Sequence, residues 1–141
     1  MRPILASLAP IAALGLIAAP ALAQEDAEEM TRGEKQLARM LDGREAGEAE
    51  RCVNTFPRAR ITIIDGEGIV MRIGGKLYFN RTTNPESLDD DDILVIRRFS
   101  GSSRLCEKEM LETYSRTGHF FSGLVSLEEF VPYSRVEDDK G

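Results

Sequence analysis

The sequence predicts a mainly β protein, a small antiparallel barrel or sandwich of five to six strands with one short N-terminal helix. From Arg60 onward, short runs rich in β-branched and aromatic residues are separated by glycine and asparagine turns, which is typical of strands. In the part of the chain before Arg60, only residues 31–43 carry a helical pattern. A chain of 141 residues has room for one domain with a modest core.

The first 23 residues are predicted to be a cleaved signal peptide. An uncharged apolar run, residues 4–23, follows Arg2 and ends in the small-x-small pattern that signal peptidases recognise, with the cut expected between Ala23 and Gln24. The mature protein would then be exported, either periplasmic or secreted. An uncleaved membrane anchor is the alternative, since about 20 apolar residues can span a bilayer, but two prolines interrupt this run.

The charge balance argues against some partners. The chain carries 18 basic and 24 acidic residues, and removal of residues 1–23 would take away one arginine and no acid. Binding to a nucleic acid needs clustered lysine and arginine, whereas the arginines here are scattered among acidic residues. We therefore expect no nucleic-acid partner and no stable membrane insertion after the signal peptide has been cleaved.

Residues 24–51 are predicted to be an acidic N-terminal segment with a short helix and a linker. Thr31 and Glu34 have the spacing of a capping box, and Gly43 stands where a left-handed residue would end the helix. Between them lies an apolar stripe at helical spacing, formed by Leu37, Met40 and Leu41. This stripe could dock on its own domain or on another protein. Residues 44–51 are interpreted as the linker.

Residues 52–134 are predicted to form the β-rich domain. Residues 61–64 make one run, and a second, residues 68–73, is joined through Gly74 and Gly75 to a third, residues 76–80. A Gly-Gly loop suits a two-residue hairpin, in which Val70 would pair with Phe79 and Met71 with Tyr78.

The second half of the domain is less uniform. Residues 93–96 form an almost continuous apolar run that predicts a central strand, and residues 104–106 are interpreted as a returning strand. Residues 107–117 fit either a helix or an edge strand. Two further runs, residues 123–127 and 130–133, close the domain before the charged tail, residues 135–141.

Cys52 and Cys106 are the only two cysteines, and we expect them to form a disulfide. An even number of cysteines in an exported protein favours a bridge, which would tie the strand at Cys106 to the start of the domain. A zinc site with His119 is the alternative. It would have at most three protein ligands, and they lack the close spacing of structural zinc sites.

Short motifs across residues 50–133 resemble an uncharacterised family of small exported alphaproteobacterial proteins of the sphingomonad type. The motifs are Cys52, Ile64-Asp65-Gly66, Gly74-Gly75, Tyr78-Phe79-Asn80, Asp92-Ile93-Leu94-Val95, Leu105-Cys106 and Glu129-Phe130-Val131-Pro132. The resemblance implies an envelope location and a domain of unknown function, and it implies no active site. Some members carry additional cysteines in the loop that corresponds to residues 80–88, and this chain has none there.

Two groups of residues suggest chemistry. The acidic run Asp89 to Asp92 supplies hard oxygen ligands that suit calcium, although it lacks the spacing of an EF-hand loop and fits a solvated loop equally well. His119, the only histidine, is a candidate general base that would need a carboxylate such as Asp65 or Asp92.

Neither group matches a known catalytic motif, and no cofactor is implied. The sequence therefore favours a non-catalytic exported binding or interaction module, which would bind a protein, such as one of the envelope, or another ligand through a sheet face or the N-terminal helix. The alternative is a small periplasmic hydrolase or metal-assisted enzyme that uses His119 with a nearby carboxylate.

Overall fold

The computed structural model describes residues 28–98 and 101–137. The predicted signal peptide, with its cut between Ala23 and Gln24, lies outside the described residues, as does the end of the charged tail. In the described part, the chain forms one α-helix, α1 (Arg32–Leu41), one short 3-10 helix (Pro85–Ser87) and ten strands. The strands are β1 (Arg44–Ala46), β2 (Cys52–Asn54), β3 (Ala59–Ile64), β4 (Gly68–Ile73), β5 (Lys76–Asn80), β6 (Asp92–Val95), β7 (Arg104–Cys106), β8 (Met110–Ser115), β9 (Phe121–Ser126) and β10 (Val131–Arg135).

The strands form three antiparallel sheets in a sandwich-like arrangement. The largest has the order β1-β10-β5-β4-β3, a second has the order β6-β8-β9, and β2 pairs with β7. None of these sheets, within the described residues, closes into a barrel. The prediction of a mainly β fold with one helix is confirmed. There are more strands than the expected five to six, because three-residue strands such as β1 and β2 are too short to show an alternating pattern.

The β4–β5 hairpin has the predicted register. Val70 pairs with Phe79 and Met71 with Tyr78, and the two-residue loop Gly74-Gly75 connects the strands. A Gly-Gly sequence tolerates the positive φ that such a loop requires, and Gly74 has a φ of 60°.

The helix α1 begins and ends where the sequence predicts. Thr31 and Glu34 form the complete capping box, and Gly43 has a φ of 70°. The apolar stripe packs on part of one face of the large sheet, where it contacts a small cluster formed by Ile64, Val70 and Leu77. The stripe therefore docks on its own domain. Gly33 allows the close approach, since a Cβ there would lie 2.0 Å from the carbonyl oxygen of Asp65.

The other face of the large sheet forms the main core. It packs against the three-stranded and two-stranded sheets through buried side chains that every sheet contributes: Val53, Ile63, Ile69, Met71, Leu88, Leu105, Leu111, Val125, Leu127 and Phe130. The fold thus has three layers: the helix, the five-stranded sheet and the two smaller sheets. Because Phe130 belongs to the core and immediately precedes β10, the end of the domain is fixed in place.

Three local expectations are corrected or resolved. Residues 44–51 are more than a linker, because β1 pairs with β10 and extends the large sheet. The run at residues 93–96 contains an edge strand and not a central one, since β8 is the only strand of the described residues that pairs with β6. Residues 107–117, which fitted either a helix or a strand, contain β8, the middle strand of its sheet.

The predicted disulfide is present. Cys52 and Cys106 lie directly opposite each other on β2 and β7, and their sulfur atoms are 2.11 Å apart. Since each sulfur is bonded to the other, neither offers a thiolate to a zinc ion.

Candidate functional site

The structure places His119 in the turn between β8 and β9. It has a φ of 53° and is exposed, and its backbone N–H donates a hydrogen bond to the Ser115 carbonyl. Within the described residues the His119 imidazole makes no hydrogen bond or ion pair. The two candidate carboxylates lie elsewhere. Asp65 is in the β3–β4 turn, and Asp92 accepts a hydrogen bond from the Ser122 hydroxyl at 2.9 Å.

A cleft of about 540 Å³ opens between the free edges of β3 and β6, which belong to different sheets. Asp90, Asp92 and Arg116 line it together with Gln36 of α1, whereas His119 is not part of its wall. A general base must come within hydrogen-bond reach of its proton, either directly or through one water. The geometry thus does not assemble the histidine and its carboxylate in this cleft.

The four aspartates of the acidic run point to different partners. Asp90 contacts the Arg32 guanidinium, Asp91 forms an ion pair with Arg116 at 3.7 Å, and Asp92 binds Ser122. Asp89 accepts a hydrogen bond from the backbone N–H of Asp91 at 2.9 Å. Among the residues that the structure describes, no three acidic, histidine or cysteine side chains are grouped so that they could hold a metal ion.

The outer face of the three-stranded sheet, which we call the hairpin face, carries apolar side chains that belong to neither the hydrophobic core nor a helix cap. Cross-strand pairing puts its residues on one side of β6, β8 and β9: Ile93, Val95, Met110, Glu112, Tyr114, Phe121 and Leu124. Met110, Phe121 and Leu124 are 55%, 53% and 49% exposed. The opposite sides of the same strands carry the core residues Leu111 and Val125. The sheet is therefore apolar on both faces, and only one face is covered.

A polar network lies in the middle of the hairpin face. The Glu112 carboxylate accepts hydrogen bonds from the Arg97 guanidinium at 2.9 Å and from the Tyr114 hydroxyl at 2.8 Å. Both hydrogen bonds lower the pKa of Glu112 below its ordinary value, and the one from Arg97 has the larger effect. The Tyr114 ring also meets the Phe121 ring edge to face, with centroids 5.8 Å apart. The network holds a tyrosine and an arginine in fixed positions on an otherwise apolar surface.

Sequence reasoning missed the hairpin face. A strand with apolar residues on both sides was expected to be central, because burial on both faces is the usual reason for such a run. The ambiguity of residues 107–117 also hid the pairing of β8 with β9. The available signal was the alternation of Met110, Glu112 and Tyr114 with Leu111 and Thr113, which has the period of a strand.

In the described part of the chain, no helix is long and apolar enough to cross a membrane. Comparisons with protein-family models, with curated proteins and with solved structures found no match for this chain.

Proposed function

We propose that this protein is a non-catalytic exported interaction module, and that it binds another protein of the cell envelope through the hairpin face. The observation that carries the proposal is the half-exposed state of Met110, Phe121 and Leu124 on one sheet face. Contiguous apolar surface costs free energy in water, and on folded proteins it commonly marks a site of interaction.

The composition of the face supports a protein partner. Aromatic residues, methionine and arginine are enriched in protein interfaces, and tyrosine and arginine are frequent among the residues that dominate binding. Tyr114, Phe121 and Met110 supply the apolar part, and Arg97 is already held by Glu112. Because these side chains are positioned before binding, less conformational entropy is lost when a partner docks.

Charge favours a partner different from the chain itself. The full chain has a formal net charge of -6, so a second copy would bring the same sign of charge to the interface. We infer that the partner presents an apolar patch on a surface that is not itself acidic, because such a surface complements the negative charge of this chain.

The disulfide supports export. Disulfides form and persist in oxidising compartments and are rare in the cytosol of most organisms. The bridge between Cys52 and Cys106, together with the expected cut after Ala23, fits a protein that functions outside the cytoplasm.

Native mass spectrometry of the protein recovered from the envelope of the cells that produce it tests this proposal. The experiment compares the wild-type protein with a Phe121→Ser/Leu124→Ser double variant and with a Phe56→Ser control. Phe56 is 71% exposed but does not belong to the hairpin face, so it serves as a matched loss of exposed aromatic surface. We expect a complex with one partner for the wild type and the control, and its loss for the double variant. Equal retention of the complex by all three proteins would refute the role of the hairpin face.

A further inference from the structure

A second surface, on the helix side of the large sheet, has the properties of an anion site. Arg60 on β3 and Arg72 on β4 lie directly opposite each other in the register of the two strands, and both are exposed. Like charges in directly opposed positions destabilise a sheet, because the side chains start about 5 Å apart. The chain has 24 acidic residues, yet arginine occupies both of these opposed positions.

No carboxylate of the described residues neutralises this pair. The ion pairs in the described part of the chain use Arg32, Lys35, Arg51, Arg97 and Arg116. Neither Arg60 nor Arg72 makes a side-chain hydrogen bond or an ion pair there. The two guanidinium groups thus retain all their donors for a ligand.

The pair also stands between two hollows. One, of about 660 Å³, is lined by Thr55, Arg58, Arg60 and Arg72 among others, so that a third arginine faces it. The other, of about 320 Å³, is lined by the same two arginines together with Met40, Thr62 and Val70. The arginine pair is therefore flanked by a strongly basic hollow on one side and by a partly apolar one on the other. We call this surface the arginine groove.

We propose that the arginine groove binds a phosphate-bearing anion, held between Arg60 and Arg72 with Arg58 as a third cation. A guanidinium offers a planar fork of donors that matches oxyanions in a bidentate manner. A single carboxylate has two oxygens, which one fork can occupy. A phosphate monoester carries a charge close to -2 and three terminal oxygens, so it can satisfy two opposed forks and cancel their repulsion.

The two hollows suggest how the rest of the ligand is placed. The partly exposed side chain of Met40 offers apolar contact for an organic group attached to the phosphate, while the wider basic hollow leaves space for a second anionic group near Arg58. The phosphate could belong to a small soluble metabolite or to a lipid headgroup, because both present the same chemistry. This site is separate from the hairpin face and does not depend on the proposed function.

Isothermal titration calorimetry with glycerol 1-phosphate, at a fixed low salt concentration, tests the proposal for a soluble ligand. Flotation with vesicles of phosphatidic acid in phosphatidylcholine tests it for a headgroup, with pure phosphatidylcholine vesicles as the blank. The variants are Arg60→Gln and Arg72→Gln, and Arg81→Gln is the matched control, since Arg81 is exposed and has no ion pair in the described part. Arg72→Lys keeps the charge but removes the planar fork.

We expect saturable binding in at least one arm, weakened roughly tenfold or more by either glutamine variant, because each variant removes charge-assisted hydrogen bonds to the phosphate. The Arg72→Lys variant should also bind more weakly than wild type, and Arg81→Gln should change the affinity less than about twofold. Binding in the calorimeter assigns the site to a soluble phosphate, and binding only to phosphatidic acid assigns it to a headgroup. Absence of saturable binding in both arms, or an equal loss in Arg81→Gln, would overturn the proposal.

Discussion

Asn80, at the end of β5, ties the large sheet to the connection between β9 and β10, and its replacement by alanine should strongly destabilise the protein. Its side chain is completely buried. The Nδ2 group donates to the carbonyl of Glu128 at 2.6 Å, while Oδ1 accepts from the backbone N–H groups of Glu128 and Thr82, each at 3.0 Å. One side chain thus satisfies three backbone groups on two residues, Thr82 and Glu128, that are distant from each other in sequence.

The cost of Asn80→Ala follows from those three groups. Thr82 is buried, so its N–H would lose its partner without gaining a water, which costs about 1–3 kcal/mol. Glu128 is exposed, so water can replace part of the other two hydrogen bonds, each of which contributes about 0.5–1.5 kcal/mol. The free energy of unfolding should therefore fall by about 3 kcal/mol, which is a large part of the stability of a small domain.

Urea unfolding followed by circular dichroism, with the disulfide intact, measures this loss. The matched control is Asn54→Ala. The Asn54 side chain also accepts a backbone hydrogen bond, from Phe56 at 3.0 Å, but it is exposed, and we expect a loss below about 1 kcal/mol. Equal losses for the two variants would refute the reasoning, since burial would then make no difference to the cost of an unpaired backbone group.

Three further predictions concern the bridge, a close approach and an ion pair. Replacement of both Cys52 and Cys106 by serine should lower the free energy of unfolding by about 4 kcal/mol in the chain-entropy model, because the bridge joins residues 54 positions apart; a loss below about 1 kcal/mol in urea unfolding would contradict it. Gly68→Ala should lower the thermal midpoint severely, since Gly68 has a φ of 150° and a Cβ there would lie 2.3 Å from the Asn80 carbonyl oxygen. Gly75→Ala is the control and should be nearly neutral, because a Cβ at Gly75 meets no atom within 4 Å. Glu112→Gln should be less stable than wild type at pH 7, and the difference should shrink as the pH falls below the ordinary value of 4.5, because a carboxylate whose pKa is lowered by folding contributes stability that is lost on protonation. A difference in urea midpoint that stays constant between pH 7 and pH 3 would show that the Arg97 and Tyr114 hydrogen bonds do not stabilise the fold.

Local patterns with a strict geometric requirement were predictable from the sequence. The capping box at Thr31 and the Gly74-Gly75 hairpin were predicted correctly, because each is determined by neighbouring residues. The disulfide was predictable for a different reason, since only two cysteines exist and one pairing is available. The burial of one helix face was also predictable, because the apolar residues of α1 recur at helical spacing and so lie on one side of the helix.

Features that depend on distant pairing were not predictable. β1 has only three residues and pairs with β10 at the far end of the chain, so no local periodicity distinguishes it from a linker. The position of β6 at an edge depends on which strands lie beside it, and the sequence of β6 itself does not determine its neighbours. The arginine groove needs the register of β3 and β4, because Arg60 and Arg72 are unremarkable as separate residues.

The most direct test of the hairpin face is site-specific photo-cross-linking in the cells that produce the protein. A photoreactive phenylalanine analogue at position 121 is compared with the same analogue at position 56, and each is combined with Leu124→Asp. The proposed interface predicts one discrete adduct with an envelope protein from position 121, none of the same mass from position 56, and its loss in Leu124→Asp. An adduct that forms equally at both positions, or one that survives Leu124→Asp unchanged, would contradict the assignment of the hairpin face as the docking surface.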